Sequence, residues 1–435
     1  MTRIHNNLES NFPSICCTVT TAYYNLDRES DQLSQLVANA SDYSEERLPE
    51  RIVHATGHGA RGYFEATNDV SDLSRACVFR QGVKVPVFAR FSPASAFRNV
   101  PDTVQDNRGM VLRFYTECGN LDLFGSTLEA FTFRLPKESQ KIIQAEHANS
   151  AERAWEIRSR NPDSAFNSLM KFSYLGSPYS SRHMDMSSVN TYKLVNSNLT
   201  AVYVIFHFIS EQGAKYNNRT FASELSKRNP KHAREDLYNA ISRGDYPSWK
   251  LMIQTMTFDQ AQTVPFDPVD PTYIWPRSEF PLQPVGRFVL EKNPENYTSE
   301  LEMSAYNVGN LIEGIEFSTD KILNARRALY NRAAFRRLGP NYRDHESNRP
   351  KAYARPSNPL AFSTEDVSRD DLKWSYNFAQ AATWFYSRPM EERQQIVDSI
   401  GEGLREVSQQ TRNRMIENYY RVDRDLGDAI REASG

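Results

Sequence analysis

Between Arg51 and about Leu290 the chain is a succession of short runs in which apolar or β-branched residues alternate with others, each closed by turn-forming residues. Val85 to Phe91, Met110 to Tyr115, Ala201 to Phe208, Leu251 to Met256 and Val285 to Leu290 are the clearest. Strands in such number must satisfy one another's backbone groups, which predicts an antiparallel barrel or sandwich. Charge and alanine content from roughly Ala145 to Met170 predict helix inserted among them.

The texture changes near Pro294. Glu300 to Ala305 and Asp320 to Arg337 read as helical, with Ser318 or Thr319 placed to cap the second. Residues 341–370 are rich in Pro, Asn, Asp and Arg, the composition of a linker. Beyond them Ile396, Val397, Ile400, Leu404 and Val407 recur at helical spacing, and Met415, Ile416, Tyr419 and Val422 continue the stripe. The predicted organisation is an arm over 1–45, a strand-rich body over 46–293, a connecting segment over 294–370 and a small helical domain over 371–435. The class is α+β.

A chain of 435 residues can enclose a sizeable pocket. Its 52 basic and 54 acidic residues nearly cancel, so no overall field favours nucleic acid or an anionic membrane. No apolar stretch is long enough to enter a bilayer as a spanning helix. Cys16, Cys17, Cys77 and Cys118 have neither zinc-site nor disulfide-framework spacing, which predicts reduced thiols. The polar first ten residues lack the apolar core of a secretory signal and the last three are no peroxisomal address, so a cytoplasmic location is expected.

Three segments place polar residues where the pattern predicts burial. They are Arg51-Ile-Val-His54-Ala-Thr-Gly57, followed by Gly62-Tyr-Phe-Glu65; Val87-Phe-Ala-Arg90-Phe-Ser92; and Arg326-Arg-Ala-Leu-Tyr330, ending in Arg336-Arg-Leu-Gly-Pro-Asn-Tyr342. Tyr330 lies four residues after Arg326, so on a helix the guanidinium can reach the phenolic oxygen. Taken singly, a histidine in a strand is more often a satisfied core residue, and a tyrosine on a helix a half-buried aromatic. The ordered set is what carries weight. With the runs Asp102-Thr-Val-Gln-Asp-Asn-Arg-Gly109, Phe114-Tyr-Thr-Glu-Cys-Gly-Asn-Leu-Asp122, Tyr246-Pro-Ser-Trp249 and Pro281 to Tyr297, the chain resembles the haem catalases from about Arg51 to Tyr342. A weaker echo runs through the C-terminal helices, and the similarity is to the small-subunit type without a flavodoxin-like domain.

The resemblance implies a catalase-like antiparallel β-barrel with an N-terminal arm, a wrapping segment and a C-terminal helical domain. It also implies a b-type haem with Tyr330 as iron ligand, where an anionic oxygen pushes electron density onto the metal and helps it reach a ferryl state. His54 would be the acid-base on the opposite face of the ring, with Ser92 bonded to it. Arg51, Arg90 and Arg337 would meet the propionates, since arginine forms paired charge-assisted bonds to carboxylates, and Arg326 would hold the phenolic oxygen. The implied activity is that of a haem hydroperoxidase with hydrogen peroxide as substrate.

The pattern also departs from the family. Catalases carry Gly-Asn-Asn-Thr-Pro where this chain has Gly125-Ser-Thr-Leu-Glu-Ala130. Aligning on Gly125 and Arg134 puts Thr127 at the place of the peroxide-orienting asparagine, and a hydroxyl reaches less far than an amide. Leu135-Pro-Lys-Glu-Ser-Gln140 lacks the Phe-rich run that follows in catalases. Weak dismutation is one implication. Another is an oxidase or isomerase acting on an organic hydroperoxide or a specialised metabolite, although Val53 before His54 is what catalases carry. A third is a haem-binding protein without turnover, against which an acid-base at His54 argues. Of the NADPH contacts, Ser173, Lys215 and Trp275 match but Phe166, Leu175 and Ser187 do not, so NADPH binding is expected to be weak or absent. The resemblance implies a homo-oligomer, dimer or tetramer, and the stretch from Tyr342 to Trp374, short for the family, implies less interlocking.

Overall fold

The computed structural model describes residues 50–350 and 375–435. The expected N-terminal arm and much of the linker lie outside the described residues. Ten strands, β1 (His58–Ala66), β2 (Lys84–Pro93), β3 (Arg108–Thr116), β4 (Gly119–Ser126), β5 (Met186–Ser187), β6 (Tyr192–Val195), β7 (Ala201–Ser210), β8 (Ser248–Met256), β9 (Gln283–Lys292) and β10 (Ile315–Phe317), form one sheet. Its order is β10-β6-β7-β5-β4-β3-β2-β1-β9-β8, and a further β7–β8 pairing closes the eight strands from β7 through β5 to β8 into a barrel. Closure leaves those strands no open edge. β10 lies in the segment expected only to wrap, and it joins the sheet through β6.

The strands of the barrel wall that matters here are buried on their inner face and buried or half-buried on their outer one. Phe91, Met110, Leu112, Phe114, Leu121 and Leu123 point inward and pack with Phe64, Phe206, Trp249 and Phe288 into the barrel core. The alternate residues, Arg90, Ser92, Gly109, Val111, Arg113, Asp122, Phe124 and Ser126, point outward. At Arg113 and Asp122 that outer face is covered by the chain after residue 294, and both are as buried as any core residue.

The helix expected near 145–170 is three helices, α1 (Pro136–His147), α2 (Ala151–Arg160) and α3 (Ser164–Phe172). Asn149 breaks the first run with φ +49°, Ser150 caps the second through the Arg153 N–H, and Pro162 separates the third. α4 (Arg219–Arg228), α5 (His232–Ser242) and α6 (Phe258–Thr263) complete the body. A helical turn covers Thr298–Glu302 rather than 300–305. α7 (Lys321–Leu338) is capped by Asp320, whose Oδ1 accepts from the Leu323 N–H at 3.0 Å, so neither Ser318 nor Thr319 takes that role. Gly339 ends it with φ +82°, a conformation a side chain disfavours.

The C-terminal helices are α8 (Ser375–Tyr386), α9 (Met390–Arg405), α10 (Gln409–Val422) and α11 (Arg424–Ala433). Ile396, Ile400, Leu404, Met415, Tyr419 and Ile430 pack with Phe166, Leu169 and Met170 of α3, so this domain sits on the inserted helices. Among the described residues no helix is long and apolar enough to cross a membrane.

The cysteine expectation is corrected at one pair. Cys77 and Cys118 form a disulfide, with Cα atoms 6.7 Å apart. Cys118 lies in the β3–β4 turn and Cys77 in the short helical turn before β2, and only the closed sheet brings the two together. Cys16 and Cys17 lie outside the described residues.

Candidate haem site

His54 enters the outer face of the barrel just ahead of β1 with φ +56°, a sparsely populated conformation for a non-glycine residue that neighbours must hold. Its N–H donates to the Ala94 carbonyl at 3.3 Å, and its own carbonyl accepts from Arg90 Nη2 at 2.8 Å. Nδ1 of the ring lies 3.0 Å from Ser92 Oγ. Beneath the ring is Gly109, where a Cβ would come within 2.7 Å of the imidazole Cε1, so only glycine fits. Burial, with the Arg90 charge adding to it, pushes the imidazole down to about 4, which leaves His54 neutral and able to accept a proton.

Strand register arranges the rest. Ser92, Gly109 and Ser126 face one another across β2, β3 and β4; the next row is Arg90, Val111 and Phe124; Arg113 and Asp122 follow. The Phe124 ring lies 5.4 Å from that of Tyr330 on α7. One sheet face therefore leads from the imidazole to the phenol. Arg326 donates to the Tyr330 oxygen from Nε at 3.2 Å and Nη2 at 2.9 Å, and from Nη1 to Asn190 Oδ1 at 2.5 Å. Burial works against its charge, but the Tyr330 and Tyr192 oxygens outweigh it and raise the guanidinium above its ordinary value.

Arg51, Arg90 and Arg337 cluster beside the Thr298–Glu302 turn. Arg51 Nη2 donates to the carbonyls of Leu301 at 2.5 Å and Ser304 at 3.0 Å, while Arg337 reaches Ser304 at 2.6 Å and the Glu302 carbonyl. Burial, then the Arg51 charge, pushes both Arg90 and Arg337 down to about 9. Arg90 Nε and the Tyr306 hydroxyl are buried with no hydrogen-bond partner among the described residues. Three crowded cations with an unspent N–H and an unspent hydroxyl fit an anionic group such as the carboxylates of a haem.

Thr127 is the one sequence-chosen residue that this geometry turns away. It follows the end of β4, its hydroxyl accepts from the Arg108 N–H at 3.1 Å, and its proton goes to Asn107 Oδ1 at 3.3 Å. The pleat puts Ser126, one residue earlier, in the row beneath His54. Sequence reading also gave no role to Asp122, which holds Arg113 through two 2.7 Å bonds and receives the Asn307 N–H at 3.0 Å and Asn310 Nδ2 at 2.7 Å. That buried pair fastens the covering segment to the sheet. A charged residue on each strand, nine positions apart across a tight turn, was the signal available.

Comparison with known proteins agrees with the geometry. The catalase family profile matches residues 31–378, and that of the catalase-related immune-responsive domain matches 373–434. The catalase of Ascaris suum is 36% identical over 434 residues, spanning 90% of this chain and 80% of its own. That of Mus musculus is 36% identical over 436 residues, covering 89% and 82%. Among solved structures, catalase A from Saccharomyces cerevisiae superposes with a TM-score of 0.82 at 29% identity over 94% of each chain, and a bacterial catalase with 0.81 at 27% over 100% and 96%. With the barrel, the half-buried neutral imidazole and the arginine-held phenol accounted for, the chain belongs to the catalase family, haem oxidoreductases that act on hydrogen peroxide.

Proposed function

We propose that this chain decomposes hydrogen peroxide at a b-type haem lying against the outer face of β2–β4, between His54 and Tyr330. The observation that carries the reading is the shared sheet face, on which a neutral imidazole locked by Ser92 and Gly109 leads along the register to Phe124 and Tyr330. The haem supplies the iron redox chemistry when bound. Tyr330 is its ligand, and Arg326 holds the phenolic oxygen in place with two donors. Arg51, Arg90 and Arg337 take the propionates, exchanging bonds to backbone carbonyls for charge-assisted ones.

His54 removes a proton from bound peroxide and returns it to the oxygen that leaves as water. Ser92 fixes which ring nitrogen is free for this. Over the whole reaction one peroxide is reduced to water and a second is oxidised to dioxygen. Oxygen release from hydrogen peroxide by the haem-loaded protein tests the reading; consumption of a lipid hydroperoxide without oxygen release would replace it with an organic-substrate activity, and haem binding without either with a passive holder.

NADPH is not expected to bind tightly. The Ser173 hydroxyl is engaged by the Met170 carbonyl at 2.7 Å and the Leu175 N–H at 3.1 Å, and the Trp275 indole N–H by the Pro268 carbonyl at 3.1 Å. Phe166 and Ser187 are buried. The resemblance supports a homo-oligomer, dimer or tetramer, and the short connection after Tyr342 argues against full interlocking.

A further inference from the structure

A base accepts a proton from peroxide but does not by itself hold the second oxygen; a hydrogen-bond donor beside the base does that. The row beneath His54 offers few. The Ser92 hydroxyl is engaged with the imidazole, and that of Thr127 takes the Arg108 N–H and spends its proton on Asn107. The Ser126 hydroxyl lies 2.9 Å from Asn107 Oδ1 and 2.8 Å from the Leu128 carbonyl, which together claim its single proton.

What remains is Asn107 itself. It stands two residues before Gly109, the residue under the imidazole, and its carboxamide lies against Ser126, the strand partner of Gly109. The orientation of the amide follows from Thr127. Were Nδ2 turned toward that buried hydroxyl, the Thr127 proton would have no acceptor among the described residues, so Oδ1 faces the two hydroxyls. Nδ2 is then directed away from them, with no protein partner among the described residues, on a side chain that is only half-buried.

We infer that Asn107 Nδ2 is the donor that this site offers to a peroxide bound beside His54, making Asn107 a substrate-orienting residue. The inference rests on the haem hydroperoxidase reading. It locates the amide function just ahead of β3, beside the end of β4 where the sequence alignment sought it.

Two variants separate the donor from the scaffold. Asn107→Asp keeps both accepted bonds but exchanges the donor for a negatively charged oxygen; Asn107→Ala removes the donor without adding charge. Both are loaded with haem and compared with the parent for Soret-band haem content, thermal midpoint, cyanide dissociation constant and initial rate with hydrogen peroxide. The expected result is full haem content in both, cyanide binding weakened about tenfold in Asn107→Ala, and peroxide rates lowered about tenfold or more in both, the order expected for one lost hydrogen bond. If Asn107→Ala misfolds, Asn107→Asp decides. Wild-type peroxide rates and cyanide affinity at full haem content would overturn the inference. A parent protein that holds haem but leaves peroxide untouched would instead sink the proposed function, and the cyanide constant would still judge Asn107.

Discussion

Strands β2, β3 and β4 carry different chemistry on their two faces. Inward they present Phe91, Met110, Leu112, Phe114, Leu121 and Leu123 to an apolar core; outward they present Arg90, Ser92, Gly109, Arg113, Asp122 and Ser126 to the site. Burial separates the faces only in part: the inner residues are all buried, while Gly109 and Ser126 on the outer face are half-buried. The difference is that inner residues are interchangeable fillers of volume, whereas each outer residue has a named partner. A one-residue slip in register would exchange the two sets, which makes the apolar face the guarantor of where the imidazole sits.

Substituting one face at a time separates their roles. The largest effect is expected from His54→Ala. It should lower the peroxide rate by about 10²- to 10⁴-fold at unchanged haem content, the usual range for removal of a general acid-base. A thermal midpoint that fell as steeply as the rate would show that the outer face is structural after all. Next comes Phe114→Ala on the inner face, expected to cost about 3–5 kcal/mol in chemical denaturation while leaving the rate per bound haem unchanged. A lowered rate at full haem content would mean that the faces are coupled.

Acid stability should show a smaller effect, shared between the faces. His54 outside and His58, which stands opposite Phe91 inside, are both pushed from 6.5 down to about 4, chiefly by burial. Below pH 6.5 the unfolded chain takes up protons that the folded chain refuses, so stability falls as pH drops from about 6.5 toward 4. His58→Phe and His54→Ala should each flatten that slope in denaturation curves; a slope untouched by either would place the acid sensitivity elsewhere.

Much of this was legible in sequence because period-two patterns and ordered polar runs are local properties. The barrel strands and the C-terminal stripe from Ile396 to Val422 could be named that way, whereas His54, Ser92, Arg326 and Tyr330 were named through the resemblance to the haem catalases that the ordered polar runs carry. What sequence could not supply was phase and distance. Thr127 and Ser126 are adjacent hydroxyl residues at a strand end, and only the Gly109–Ser126 pairing tells which one faces the imidazole. Asp320 was masked as a cap by Ser318 and Thr319 beside it, and Cys77 meets Cys118 only through closure of the sheet. Asn107 sat unremarked in a run read as matching the family, because its role depends on where two hydroxyl protons go.

Tyr330, held by Arg326, would ligate the iron of a bound haem. The most direct test is the visible absorption spectrum of the haem-loaded protein beside that of Tyr330→Phe. A phenolate-ligated ferric spectrum is expected in the parent, and in the variant loss of haem or a displaced Soret band. Identical spectra, with haem equally retained, would contradict it.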